Sequence, residues 1–287
     1  MNKPIISIND FEPKKLFMLL QKDYKDDLLK KAIKKAGSQE NFSELIKQNL
    51  EYPSMRQSTV SYLLQKNTLR LDLISFLCSF AKVPFDKTKI IGIKGTQTSR
   101  MIMNPKLEIA LSPSLAQVIA NLYCDGTIQT TNQFIGTYYN SCKELIDRFD
   151  QNVIETFGQI ELPRHFTNVH CINIPTYLGK MLYFKFDFDS DRVPMQIMNA
   201  GLEIKSAYLQ AVFDDEGGIH KTHGQIRIKM KPKSYIMDIH RLVREFGIET
   251  SDVFEEVDKR FNRKYHYFLI SGIRNLRKFQ ASIDFFH

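Results

Sequence analysis

The chain has 287 residues, of which 43% are hydrophobic and 25% are charged. This length suggests two or three domains, and the composition is typical of a globular protein with a buried core. No uncharged apolar run approaches 18 residues, and the first residues lack a signal-peptide pattern, so we expect a cytoplasmic protein without a membrane span. The four scattered cysteines fit a reducing compartment and disfavour a zinc knuckle.

The net charge of +8 is distributed unevenly along the chain. Residues 1–110 hold 19 basic and 11 acidic residues, residues 111–191 hold 5 and 9, and residues 192–287 hold 16 and 12. Basic surfaces attract phosphate backbones regardless of base sequence. The two basic ends therefore agree with nucleic-acid binding, and equally with a basic protein that binds no nucleic acid.

Helical spacing dominates the first 83 residues. Apolar residues recur on one helical face in 12–36 and again in the segments FSELIKQN, RQSTVSYLLQKN and LRLDLISFLCSFAKV. This order predicts an all-α domain over residues 1–83 with a helix-turn-helix arrangement. Residues 84–110 are rich in lysine and contain glycines, which predicts a basic linker.

The segment RQSTVSYLL, from Arg56 to Leu64, resembles the recognition helix of phage-repressor-type helix-turn-helix domains. The resemblance implies that polar residues at the helix start face bases and that nearby basic residues meet phosphates. The base-facing candidates are Gln57, Ser58, Thr59 and Tyr62, and the phosphate-contacting candidates are Arg56, Lys66 and Arg70. A helical domain without any DNA role remains the alternative.

Residues 111–287 contain two similar halves. Each half begins with an apolar helix that ends in an acidic residue and a glycine, and the two acid-glycine pairs, Asp125-Gly126 and Glu216-Gly217, are 91 residues apart. Strand-like segments, an amphipathic helix and further strands follow in each half. We therefore expect a duplicated α+β fold, with repeats at residues 111–191 and 192–287.

Small residues recur along the helices that end in these acids. They are Ala116, Ala120 and Cys124 in the first helix and Ala207 and Ala211 in the second. Such stripes allow two helices to approach closely, which would bring Asp125 and Glu216 together at two negative helix ends. Two carboxylates there favour a hard cation such as Mg²⁺, which can activate water against a phosphodiester. The pattern predicts a metal-dependent nuclease.

The segments VIANLYCDG and LQAVFDDEG resemble the two signature motifs of the LAGLIDADG, or dodecapeptide, homing endonuclease family. The resemblance covers about residues 111–287 and implies a monomer with internal pseudo-twofold symmetry. Its two αββαββα halves would form a saddle of sheets over the DNA major groove. It also implies that Asp125 and Glu216 bind Mg²⁺ or Mn²⁺ for double-strand cleavage, and it makes Arg192 a candidate to support the metal-bound water.

The predicted DNA-facing strands of the two halves differ in charge. The segment TIQTTNQFIGTYYN contains no Lys or Arg. Candidate DNA contacts are Gln129, Thr130, Asn132 and Gln133 in the first half, and Lys221, Arg227, Lys229 and Lys231 in the second. An uncharged strand can read bases but releases no counterions, so we expect asymmetric binding.

Three functions remain open on these observations. The first is a site-specific DNA endonuclease, free-standing or intron-encoded, whose N-terminal domain extends the recognition site. The second is a transcriptional regulator that kept the scaffold and lost cleavage, and the third is an RNA-splicing maturase.

Two other features have ordinary explanations. The run MLYFKFDFD, from Met181 to Asp189, predicts a buried core strand, and His220 and His223 predict an exposed turn.

Overall fold

The computed structural model describes residues 4–50, 57–95, 99–131, 133–166, 168–220, 223–259 and 262–285. The chain divides into two compact units. The N-terminal unit contains residues 6–108 together with residues 157–161. The repeat unit contains residues 109–156 and the chain from residue 162 onward.

The N-terminal unit combines helices with an antiparallel sheet. In chain order it contains β1 (Ile6–Ser7), β2 (Phe17–Leu20), α1 (Lys22–Ala36), α2 (Gln39–Asn49), α3 (Gln57–Gln65), β3 (Thr68–Arg70), α4 (Leu71–Ala81), β4 (Ile90–Lys94) and β5 (Ile102–Met103). Four of these strands form one sheet in the order β3-β2-β4-β5. The predictions of an all-α domain and of a linker over residues 84–110 are therefore wrong.

The error has a physical source in β2. Its residues alternate between half-buried and buried, as expected of a strand, but they directly precede a genuine helix. The apolar residues of β2 and α1 together fit a helical spacing. The strands that pair with β2 lie about 50 and 70 residues further along the chain, beyond the reach of a local pattern.

The repeat unit contains the same succession of elements twice. After the short strand β6 (Glu108–Ile109), the first repeat contains α5 (Pro113–Tyr123), β7 (Gly126–Gln129), β8 (Ile135–Asn140), α6 (Lys143–Phe157), β9 (Arg164–Phe166), β10 (His170–Ile174) and α7 (Thr176–Lys185). The short helix α8 (Met195–Met198) follows. The second repeat contains α9 (Leu202–Glu216), β11 (Gly217–His220), β12 (Gln225–Met230), α10 (Lys233–Glu245), β13 (Phe254–Asp258), β14 (Arg263–Ser271) and α11 (Ile273–Ser282).

The two sheets have corresponding strand orders, β7-β8-β10-β9 and β11-β12-β14-β13. Every pairing within them is antiparallel. Each repeat is thus αββαββα, which confirms the predicted duplicated α+β fold.

Helices α5 and α9 pack against each other in the centre of the repeat unit. The Ser112 hydroxyl caps α5 by accepting from the backbone amide of Leu115 at 3.2 Å, and Pro113 occupies the first helical turn. The small residues Ala116, Ala120 and Ala211 are fully buried along these helices. The Gln117 side-chain amide donates to Gln210 Oε1 at 2.7 Å, which links the helices directly.

A glycine follows each acidic helix end for a steric reason. A Cβ atom on Gly126 would lie 2.6 Å from the Leu122 Cα, and one on Gly217 would lie 2.4 Å from the Phe213 carbonyl oxygen. Both distances are far shorter than a van der Waals contact. The absence of a side chain therefore lets the first strand of each sheet begin this close to the preceding helix.

The aromatic run from Met181 to Asp189 is not a strand. Its first half belongs to α7, and the chain then turns, with Asp187 in the left-handed conformation at φ 52°. Phe186 is buried, whereas the Phe184 residue is 66% exposed. Alternating aromatic residues suggested a sheet face, but the helix end places successive rings in different surroundings. Within the described ranges, no helix has both the length and the apolarity needed to cross a membrane.

Candidate active site

Four acidic side chains lie at the ends of α5 and α9, and they have different surroundings. Asp125 follows Cys124, the residue that caps α5, while Asp214, Asp215 and Glu216 form the last turn of α9. The Asp214 side chain is fully buried and pairs with Arg148 of α6. Because this charge is neutralised inside the protein, Asp214 has a structural role.

Asn140, the last residue of β8, connects acids from the two repeats. Its side-chain amide lies 3.2 Å from Asp125 Oδ2 and 3.3 Å from Asp215 Oδ1. Asp215 also accepts hydrogen bonds from the Tyr138 hydroxyl at 2.6 Å and from the Asn121 amide at 2.9 Å. The ends of α5 and α9 therefore meet at one locus, and first-repeat side chains position a second-repeat acid.

Partial burial raises the pKa of each of these three carboxyl groups. Burial raises the pKa of Asp125 to about 6. Burial, with a smaller contribution from Asp125, raises the pKa of Glu216 to about 7. Burial raises the pKa of Asp215 to about 8, although its hydrogen bonds with Tyr138 and Asn121 act in the opposite direction.

The Cys124 side chain lies among the same three acids. Burial raises the pKa of this thiol, and the charges of Glu216, Asp215 and Asp125 raise it further. We call the group Asp125, Asp215 and Glu216 the acidic centre. The sequence interpretation identified Asp125 and Glu216 but missed Asp215, although the three consecutive acids in FDDEG were a visible signal.

The donor set of the acidic centre suits a hard divalent cation. Carboxylate oxygens are preferred ligands of Mg²⁺ and Mn²⁺, and burial raises the pKa of both Asp125 and Glu216. In the described part of the chain, Glu216 accepts no side-chain hydrogen bond, whereas Asp215 accepts three. Asp125, which accepts one side-chain hydrogen bond, and Glu216 are therefore the members of the centre that could take part in binding a metal ion.

The described residues contain no ready-made group of three His, Cys, Asp or Glu metal ligands. Mg²⁺ is commonly bound through one or two carboxylates, with water and substrate phosphates completing its octahedron. Two carboxylates therefore agree with a centre whose remaining ligands arrive with a phosphodiester.

Arg192 forms an ion pair with an acid of α10. Its guanidinium forms two hydrogen bonds of 2.8 Å with the Asp238 carboxylate on α10. The same carboxylate accepts from the Val193 backbone amide at 3.2 Å. These bonds anchor the connection between the repeats to α10, and the catalytic role of Arg192 stays a prediction.

The outward face of the second sheet carries two cations that form ion pairs within the same sheet. Residues Ile226, Ile228 and Met230 of β12 are buried, so Arg227 and Lys229 point to the other face. Both pair with Glu256 of β13, Lys229 at 2.9 Å. Arg227 also lies 4.0 Å from the centre of the Tyr267 ring, and Lys229 lies 4.6 Å from that of Tyr265.

The corresponding face of the first sheet is uncharged. By strand register, Thr137 and Tyr139 occupy the positions of Arg227 and Lys229. Among the predicted DNA contacts, Gln129, Thr130, Gln133 and Lys231 are exposed. Asn132 and Lys221 lie outside the described residues.

The predicted recognition residues of the N-terminal unit lie on or next to α3. That helix contains Gln57, Ser58, Thr59 and Tyr62, whose side chains, like the whole of Arg56, lie outside the described part. Arg70 pairs with Asp72 and its side chain is 16% exposed, so its charge is already engaged. The buried Lys25 ammonium donates to the carbonyl oxygens of Leu64 and Lys66, both at 2.8 Å. The helix-turn-helix function stays a prediction.

One family model matches the second repeat. Residues 203–284, from α9 to the end of α11, match the family model described as a LAGLIDADG-like domain. The match lies within the second repeat, and the first repeat has the same strand order and succession of elements.

Two curated proteins of Methanocaldococcus jannaschii match parts of the chain. A replication factor C small subunit is 34% identical over 97 residues, which cover 34% of this chain and 5% of that protein. A glutamine–fructose-6-phosphate aminotransferase is 23% identical over 222 residues, which cover 73% of this chain and 19% of that protein. The chain spans less than one fifth of the length of either relative.

Solved structures that match part of the chain include I-DmoI and DUF199/WhiA. I-DmoI in complex with DNA and Mn has a TM-score of 0.46 and 15% identity, covering 61% of this chain and 97% of that chain. Full-length DUF199/WhiA from Thermatoga maritima has a TM-score of 0.43 and 9% identity, covering 61% of this chain and 56% of that chain.

Proposed function

We propose that the repeat unit is a site-specific endonuclease for double-stranded DNA that uses Mg²⁺ or Mn²⁺. The observation that carries this proposal is the acidic centre, where the packed helices α5 and α9 end in the half-buried carboxylates Asp125 and Glu216, whose pKa values burial raises. Asp125 and Glu216 would hold the divalent ion, which would supply Lewis-acid assistance to phosphodiester hydrolysis.

The remaining residues of the centre would position these two acids. Asn140 holds the Asp125 carboxylate through one hydrogen bond and Asp215 through another. Tyr138 and Asn121 fix Asp215 from the first repeat. Such preorganisation matters because small displacements of metal ligands strongly reduce the rate of phosphoryl chemistry.

DNA would lie along the outward faces of the two sheets. Lys231 is exposed, and Arg227 and Lys229 could exchange Glu256 for a phosphate. Gln129, Thr130 and Gln133 would read bases on the first sheet without adding counterion release. Helix α3 of the N-terminal unit would extend the recognised site.

Cleavage selection from randomised duplex DNA in Mg²⁺ or Mn²⁺ tests this proposal. Wild-type protein should enrich one cleaved site, whereas D125N and E216Q should retain binding and cleave roughly a hundredfold more slowly or worse. Specific binding by wild type without cleavage in either metal would refute the nuclease. Cleavage unaffected by both substitutions would remove the acidic centre from the mechanism.

A second candidate is a regulator that binds DNA without cutting it. The observation that favours it is the charge pairing on the second sheet, where Glu256 forms ion pairs with both Arg227 and Lys229. The first sheet has no cation at the equivalent positions. Binding without cleavage in the selection above would support this function. A parallel selection of bound sequences from randomised RNA tests the third function, an RNA-splicing maturase.

A further inference from the structure

An open groove of about 950 Å³ runs along α10 of the second repeat. The buried residues of α10 pack against β12 and β14. The groove lies on the exposed side of the helix, where its lining includes Lys233, Met237 and Arg241. It therefore faces away from the outward surface of the second sheet, which carries Arg227 and Lys229.

Three cations follow one line along this side of α10. We call this line the basic stripe, and its members are Lys233, Met237, Arg241 and Arg244, all of them exposed. Successive members are four, four and three residues apart, which places their side chains on one helical face over a length of about 16 Å. Within the described residues, its ammonium and two guanidinium groups form no ion pair.

The acids that line the same groove are mostly neutralised by other residues. Asp238 accepts two hydrogen bonds of 2.8 Å from the Arg192 guanidinium, and Glu245 pairs with Lys205 at 2.5 Å. Asp191 is exposed and, in the described part of the chain, pairs with no cation. Three unpaired cations therefore face one unpaired acid, and the groove as a whole attracts anions.

The corresponding helix of the first repeat has no such stripe. Counted from the equivalent strand ends, Gln151 and Ile154 of α6 occupy the positions of the two arginines. Asp147 occupies the position of Met237, and it pairs with Arg164. The shared αββαββα fold therefore does not require the stripe, which belongs to the second repeat alone.

The chemistry of the stripe favours one class of anionic partner. An arginine presents a planar fork of donors that matches phosphate oxygens. The buried core of a protein–protein interface is depleted of charged residues, whereas three of the four members of the stripe are charged. None of the four is aromatic, so the stripe offers no ring on which an unpaired base could stack. These features favour the backbone of a duplex over an acidic protein or a single strand.

We propose that the basic stripe of α10 binds the phosphate backbone of a second segment of duplex DNA, without regard to base sequence. The inference rests on the proposed function only for the first segment, which would lie on the outward faces of the two sheets. A straight duplex cannot lie on both surfaces, because they point in opposite directions. One chain would therefore hold two segments at once.

Site-specific photocrosslinking on the full chain, with a labelled duplex of random sequence and a metal chelator, tests the stripe. Met237→p-benzoylphenylalanine places the reactive group within the stripe, and Gln151→p-benzoylphenylalanine places it on the exposed side of α6 as the matched control. We expect about tenfold more crosslinked DNA at position 237, with a yield that falls steeply as salt is raised. Adding K233Q, R241Q and R244Q should remove most of this crosslink and reduce the salt slope by about two to three.

Two results would overturn the proposal directly: a yield at position 237 no higher than at position 151, or a yield that the triple substitution leaves unchanged. If the triple variant does not fold, R241Q alone gives the same test with a smaller expected loss. Poly-L-glutamate or an RNA duplex that displaces the labelled DNA at a lower charge concentration than unlabelled DNA does would also overturn it, in favour of that competitor's class.

These outcomes are separate from those of the nuclease proposal. Because the chelator prevents cleavage, loss of the crosslink at position 237 leaves the role of the acidic centre standing. Conversely, a chain that crosslinks at position 237 but never cuts DNA would retain the second binding surface without the nuclease.

Discussion

The two repeats share a strand order, but equivalent positions have diverged in chemistry. At the end of its second strand the first repeat has Asn140, which donates to two acids, whereas the second repeat has the buried Met230 at the same register. One strand position earlier, the uncharged Tyr139 corresponds to the cation Lys229. The first repeat thus supplies the hydrogen bonds of the acidic centre, and the second supplies positive charge.

The features retained in both repeats are those that geometry restricts most. Gly126 and Gly217 each adjoin backbone atoms so closely that no side chain fits. Sheet surfaces tolerate exchange far more readily, since no backbone constraint applies to them. A duplicated fold can therefore keep its helix pair while its two faces acquire different partners.

The largest expected effect would come from breaking the asymmetry at Asn140. N140L removes the donor shared by Asp125 and Asp215, so we expect cleavage to fall by about a hundredfold with little change in DNA affinity. M230L at the equivalent register should change cleavage less than about twofold, because it exchanges apolar groups of similar volume. Single-turnover cleavage rates measure both, and equal effects of the two substitutions would contradict the proposed division of roles.

The retained glycines should show the opposite pattern, with both repeats responding alike. G126A and G217A each force a Cβ against the preceding helical turn, so we expect a loss of about 2–4 kcal/mol in the free energy of unfolding. G218A is the control, since a Cβ there meets no atom within 4 Å. Urea unfolding followed by circular dichroism gives the three values. A loss at G218A as large as at its neighbour would argue against the steric explanation.

The same contrast explains what the sequence predicts. The acid-glycine pairs, the small-residue stripes and the recurrence at 91 residues are local signals, and together they predict the duplicated fold and two of the three acids in the centre. The partners of Asp215 and Arg192 are not local. Asn140 lies 75 residues from Asp215, and Asp238 lies 46 residues from Arg192. Only the folded chain therefore shows that Asn140 binds Asp215 and that Asp238 binds Arg192.

The pH dependence of stability should distinguish the acids of the two repeats. Because the folded pKa values of Asp125 and Glu216 are raised, the folded protein binds more protons than the unfolded chain between about pH 4 and 7. Their stabilising contribution is complete below pH 4 and is lost as the pH rises through 6 to 7. E216Q removes the penalty of burying a charge, so without metal it should exceed wild type by about 1–3 kcal/mol at pH 8 and match it near pH 4.

D125N should show a smaller gain, because Asp125 is less deeply buried and its pKa is raised only to about 6. Urea midpoints at pH 4 and pH 8, measured with a chelator, give the comparison. Adding Mg²⁺ at pH 8 should stabilise wild type and leave E216Q nearly unchanged. If E216Q is less stable than wild type at pH 8, protein groups must stabilise the charged Glu216 carboxylate without metal. That result would weaken the assignment of Glu216 as a metal ligand.

The smallest expected effect concerns Glu256, which neutralises the cations of the second sheet. E256Q frees Arg227 and Lys229, so DNA affinity should rise a few-fold and the dependence of log affinity on log salt should steepen by about one. E255Q makes the same change of charge one residue away. Strand alternation places Glu255 on the opposite face, where it pairs with Lys264 at 2.9 Å. A sheet that binds DNA on one face should respond to E256Q alone, whereas equal salt slopes for both variants would mean that only net charge matters and that this face contacts no phosphate.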